Sequence, residues 1–197
     1  MLKPALPASL VLALAACSGG APAPEASGSV AAADVAEPTA AATSTATPSA
    51  SAQVAQVLTL DGLGELRFGK PIAADSHWKL GTDEASPSCR IATSPDYPGV
   101  YAIVNKDGVR RITVGARSTV KLVEGVGPGS SETEVTAKFP GFRESPHKYV
   151  AAPGKYLTAP GEGKTGPDLR FEIGADGKVS LMHVGIAPEL QYVEGCS

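Results

Sequence analysis

Three histidines, His77, His147 and His183, are the side chains best suited to moving a proton near neutral pH, and they lie far apart along the chain. None has a second histidine or a cysteine at the spacing of a metal-ligand pair. No Gly-x-Ser-x-Gly elbow, phosphate-binding loop, dinucleotide fingerprint, His-Glu-x-x-His or calcium loop occurs. The expectation is a protein that is not an enzyme, with no catalytic residue, metal or cofactor to name. His183 alternates with Met182 and Val184, so on a strand it points away from their face and is expected to be exposed or lightly packed.

A second cluster reads Phe142-Arg143-Glu144-Ser145-Pro146-His147-Lys148-Tyr149, followed by Pro153-Gly154-Lys155-Tyr156. If Pro153-Gly154 turns a hairpin, Tyr149 and Tyr156 stand on neighbouring strands, each preceded by a lysine. Tyrosine and arginine anchor interfaces because they bring large area with a polar end. Arg143, His147, Lys148, Tyr149, Lys155 and Tyr156, with Trp78, therefore form the candidate binding surface. The same residues could equally cover a sheet edge, with the lysines opposing edge-to-edge pairing. A lone tryptophan near a helix end is commonly core.

The elements that position these groups begin after a leader. Met1-Leu2-Lys3 precedes an apolar run that is too short to span a bilayer as a mature helix and reads as a signal peptide. It ends Leu14-Ala15-Ala16-Cys17-Ser18, which is similar to the lipobox of bacterial lipoproteins. That resemblance implies removal of residues 1–16 and acylation of Cys17, anchoring the chain to a lipid bilayer. Ser18 after the cysteine resembles the outer-membrane sorting signal, which implies a domain facing the periplasm. With Cys17 acylated, Cys89 and Cys196 remain as an even pair in an exported chain and are expected to form a disulfide.

Residues 17–56 are mostly Ala, Pro, Ser, Thr and Gly, with only Glu25, Asp34 and Glu37 charged, and read as a tether with a span on the order of 35 Å. All ten aromatic residues lie beyond Val57, so residues 57–197 must hold the core. Seventeen basic against twenty acidic residues argue against a nucleic-acid partner.

Within that domain the sequence can be laid against itself. Residues 69–81 and 129–141 are each bounded by glycines and read as short helices, the second with a capping box at Ser131 and Glu134. Each is followed by a hairpin, one turning at Asp107-Gly108 and the other at Asp176-Gly177. The expected fold is α+β: a tandem repeat of short helix plus antiparallel sheet, over about residues 57–118 and 119–197. Such a pair resembles the repeats of the β-lactamase inhibitory protein and the SmpA/OmlA (BamE-like) lipoproteins, with Gly129 to Val135 as the local echo. The resemblance implies a module that binds another envelope or periplasmic protein, as an assembly accessory or an enzyme inhibitor. A glycan- or small-ligand-binding module and a hydrolase with an unrecognised site are the alternatives.

Overall fold

The structure is a computed structural model that describes residues 56–81 and 88–196. The expected signal peptide, Cys17 and nearly all of the expected tether lie outside the described residues. Twelve strands are present among them: β1 (Val57–Leu58), β2 (Gly62–Leu63), β3 (Leu66–Arg67), β4 (Lys79–Leu80), β5 (Arg90–Thr93), β6 (Val100–Asn105), β7 (Gly108–Gly115), β8 (Lys121–Leu122), β9 (Arg143–Pro146), β10 (Lys155–Thr158), β11 (Asp168–Ile173) and β12 (Val179–Gly185). One seven-residue helix, α1 (Glu132–Lys138), lies between β8 and β9.

The main sheet has eight strands in the order β4-β5-β6-β7-β12-β11-β10-β9, with every neighbouring pair antiparallel. It consists of two four-stranded meanders, β4 to β7 and β9 to β12, joined where β7 pairs with β12. The short strands β3, β2, β1 and β8 form a second sheet. The hairpins at Asp107-Gly108 and Asp176-Gly177 link β6 to β7 and β11 to β12. Gly108 has φ +91° and lies so close to the Lys70 backbone that a Cβ would fall 2.4 Å from the Lys70 carbonyl oxygen, so only glycine fits.

This architecture corrects the α+β expectation: the fold is mostly β, and among the described residues there is no repeat of helix plus sheet. The helix expected over 129–141 exists with its capping box, Ser131 accepting from the Glu134 amide while the Glu134 side chain accepts from the Ser131 amide. The one expected over 69–81 does not form. Its first backbone groups are committed elsewhere: the Gly69 amide donates to Val109, and the Val109 amide donates to Lys70. Further on, the Ser76 hydroxyl accepts from the Trp78 amide, a local bond that competes with helix. Ser76 and Trp78, two residues apart, are the buried positions, a strand-like spacing.

One face of the main sheet is apolar. Ala92, Ala102, Ile112, Val184 and Leu169 stand in one cross-strand row, all within a core that includes Leu58, Leu63 and Leu66 of the small sheet. Val135 of α1 enters the same core, and Phe139, Phe142 and Phe171 stack with centroids 5.3 to 5.9 Å apart. The neighbouring row on the other face is polar: Thr93, Tyr101, Thr113, His183, Arg170, Thr158 and Arg143 stand opposite one another in turn. Much of that face is nonetheless buried, because the chain after β12 returns across it. Arg110 bonds the Ala187 carbonyl and the Glu189 carboxylate, and Arg170 bonds the Gln191 carbonyl. Cys196 ends this strap in a disulfide to Cys89, with Cα atoms 5.7 Å apart, beside the start of β5.

Candidate functional site

The chemistry-bearing side chains of the polar face meet at Glu172 on β11. Its Oε1 lies 3.1 Å from His183 Nε2, and its Oε2 lies 3.1 Å from His147 Nε2. His183 Nδ1 is 2.9 Å from the Thr113 hydroxyl. His147 Nδ1 accepts from the amides of Tyr149 and Val150 at 3.1 and 3.2 Å. A nitrogen that accepts is unprotonated, so His147 donates through Nε2–H to the Glu172 carboxylate. The result is a continuous chain from Thr113 on β7 through His183, Glu172 and His147 to the backbone of the β9–β10 loop.

Cations surround this chain. Arg111 is fully buried and donates to the carbonyls of Glu189 and Tyr192 and to the Tyr101 hydroxyl. The Arg170 guanidinium lies 3.9 Å from the centre of the Tyr156 ring, a cation–π contact, and His147 stacks on the same ring at 4.6 Å. Burial pulls both guanidiniums below their ordinary range. Burial also pushes His183 down to about 4; the Glu172 hydrogen bond opposes that shift, while the charges of Arg111 and Arg170 reinforce it. Burial alone would raise Glu172, but the hydrogen bonds it accepts from His183 and His147 outweigh it and hold the carboxyl below the usual range.

Hydroxyl, imidazole and carboxylate in sequence are the connectivity of a nucleophile with its base and orienting acid. Thr113 is fully buried on a central strand, however, so no substrate reaches its hydroxyl. Among the described residues no group of three or more His, Cys, Asp or Glu has the arrangement of a metal site.

The expected binding residues separate into three groups. Trp78 is only 3% exposed and stacks on Tyr97 at 5.4 Å; it is core, adjoining β4 at the far edge of the sheet from β9. Tyr156, also 3% exposed, is built into the polar network. Trp78, Tyr149 and Tyr156 therefore do not come together as one exposed aromatic surface. His183, expected to be exposed or lightly packed, does point away from Met182 and Val184 but is 2% exposed, sealed beneath the returning chain.

Arg143, Lys148, Tyr149 and Lys155 remain at or near the surface around the β9–β10 loop. Tyr149 stands in that loop rather than on a strand and is 57% exposed. The Lys148 ammonium sits 5.1 Å from its ring centre, and its hydroxyl bonds Glu194 of the strap. Arg143 pairs with Glu162, and Lys155 with Glu132 and Glu144. The loop is fixed at several points, by His147 Nδ1, by the Lys148 amide on the Tyr156 hydroxyl and by the Gly154 amide on the Ala151 carbonyl. Beside it runs a groove of about 490 Å³ lined by Pro146, His147, Val150, Ala151, Pro153 and Lys155, among others.

Glu172, Arg111, Arg170 and Thr113 were not legible as site residues. Their only signal is polar alternation along β7 and β11, which ordinarily marks a solvated face. Comparison of the chain with protein-family models, curated proteins and solved structures gives no match.

Proposed function

We propose that this chain is a lipid-anchored, periplasm-facing lipoprotein whose domain is a protein-binding module, with the Tyr149 loop as its anchor. The observation that carries this reading is the presentation of Tyr149. It is the one aromatic residue among the large hydrophobic side chains exposed in the described residues, and it stands on a loop held by side-chain and backbone hydrogen bonds. A large amphipathic ring on a pre-ordered loop loses little entropy on association, which is what an interface anchor requires. Arg143, Lys148 and Lys155 supply polar contacts around it, and the adjacent groove can receive an apolar side chain of the partner. An inhibitor and an assembly accessory would both use this surface.

The test is affinity capture from envelope extract with the immobilised full chain and with Tyr149→Ala, followed by titration of the purified partner. Removal of the ring is expected to weaken binding at least tenfold, on the scale of an interface anchor. Equal affinity of the two chains, or specific glycan retention with no protein partner, overturns the reading.

A further inference from the structure

Given that reading of the Tyr149 loop, we infer that His147 is a proton-operated latch on it: a proton added at Nδ1 releases residues 148–150 and with them the display of Tyr149. The argument starts from hydrogen-bond bookkeeping. A neutral imidazole has one donor nitrogen and one acceptor. In His147 the acceptor, Nδ1, holds the amides of Tyr149 and Val150, and the donor, Nε2, faces Glu172. An incoming proton has only Nδ1 to occupy. There it converts the acceptor of two N–H groups into a third donor aimed at them, and the loop must move away.

The neighbouring groups do not offer the proton a better place. Glu172 on β11 already accepts from both histidines. His183 on β12 is sealed at 2% exposure and faces the positive charges of Arg111 on β7 and Arg170 on β11. His147, although its side chain is only 6% exposed, lines the open groove and can exchange a proton with solvent. Around it stand the Tyr156 ring from β10, stacked at 4.6 Å, and the Tyr149 ring at 6.5 Å with Lys148 beside it, while Glu144 of β9 and Lys155 of β10, paired with each other, line the same groove. Protonation at Nδ1 leaves Nε2–H on the Glu172 carboxylate and breaks only the bonds to the loop.

The released form carries one proton more than the latched form, so falling pH favours release by up to about tenfold per pH unit. Hydrogen exchange and nitrogen NMR on the full chain, with no partner present, test this. At pH 7.5 His147 is expected as the Nε2–H tautomer, with the Tyr149 and Val150 amides protected. Their protection, corrected for intrinsic exchange, should fall several-fold to about tenfold between pH 6.5 and 5.5, beyond any change in the central β7 and β12 amides. His147→Asn places a carbonyl oxygen near the Nδ1 position and has no proton to gain, so its loop protection should not vary with pH beyond that of the central strands. Constant wild-type loop protection, an Nδ1–H tautomer at pH 7.5, or wild-type pH dependence in His147→Asn overturns the latch. Because no partner enters these measurements, such a result leaves the binding reading standing. Loss of that reading would come from the capture and titration experiment instead.

Discussion

Arg111 donates to the carbonyl oxygen of Tyr192 at 2.6 Å, tying the middle of β7 to a residue 81 positions further along the chain. The same guanidinium nitrogen reaches the Glu189 carbonyl at 3.0 Å. The returning strap is thus held on the polar face by its own backbone oxygens, with one buried side chain serving both.

Replacing that side chain should loosen the strap. Arg111→Met keeps most of the volume but leaves the two carbonyls without this donor, and is expected to lower stability by about 3 kcal/mol in urea unfolding. Arg111→Lys should recover less than half of the loss, because an ammonium cannot reproduce the planar fork that also meets the Tyr101 hydroxyl. A loss below about 1 kcal/mol for the methionine variant would show that the strap does not depend on this contact.

Acid should destabilise the domain in two stages. His183 is held neutral by burial at about 4 against an ordinary 6.5, so between those values the unfolded chain takes up a proton that the folded chain refuses. Stability therefore falls as pH drops from about 6.5 to about 4, by on the order of 3 kcal/mol, a contribution that His183→Gln should remove. Glu172, held below its ordinary value, contributes stability present at neutral pH and lost at still lower pH as it protonates. Unfolding free energies of wild type and His183→Gln at pH 7 and pH 4.5 check the first stage. Equal pH slopes would refute it.

The Cys89–Cys196 bridge spans 107 positions, and its chain-entropy contribution is about 4–5 kcal/mol. Cys196→Ser should lower the denaturation midpoint accordingly, and a reducing agent should affect only the wild type. An unchanged midpoint in both experiments would mean that the strap is held entirely by its contacts.

Cys17→Ala, if Cys17 is the acylated residue, should move the protein from the membrane fraction to the soluble periplasmic fraction. Fractionation with membranes as before would sink the lipid anchor.

The sequence exposed local events more readily than tertiary ones. Asp107-Gly108 and Asp176-Gly177 mark turns by backbone conformation, and Ser131 with Glu134 marks a helix start by short-range hydrogen bonds. The segment 69–81 carried equally plausible helix punctuation, but its backbone pairs with Val109, forty residues on, and Trp78 is drawn to Tyr97. Of the candidate surface, Tyr149 was legible only by type, as a tyrosine that follows a lysine and brings large area with a polar end. Tyr156 looked the same in sequence, yet register places it opposite Glu172 on the covered face. His183 shows why: alternation tells which way a side chain points, not whether residues 186–196 will lie over it.

The seam between the two meanders also bears on the order in which the sheet can form during synthesis. Strands β4 to β7 can pair as soon as they exist, but β7 presents an open hydrogen-bonding edge until residues 179–185 arrive. That edge contains Val109, Ile112 and Val114, the kind of run that recruits other chains into aggregates. Arg110 and Arg111 interrupt it at the centre. Such a charged pair in the middle of an apolar strand is the kind of interruption that opposes edge-to-edge pairing, a second use for the side chains that hold the strap.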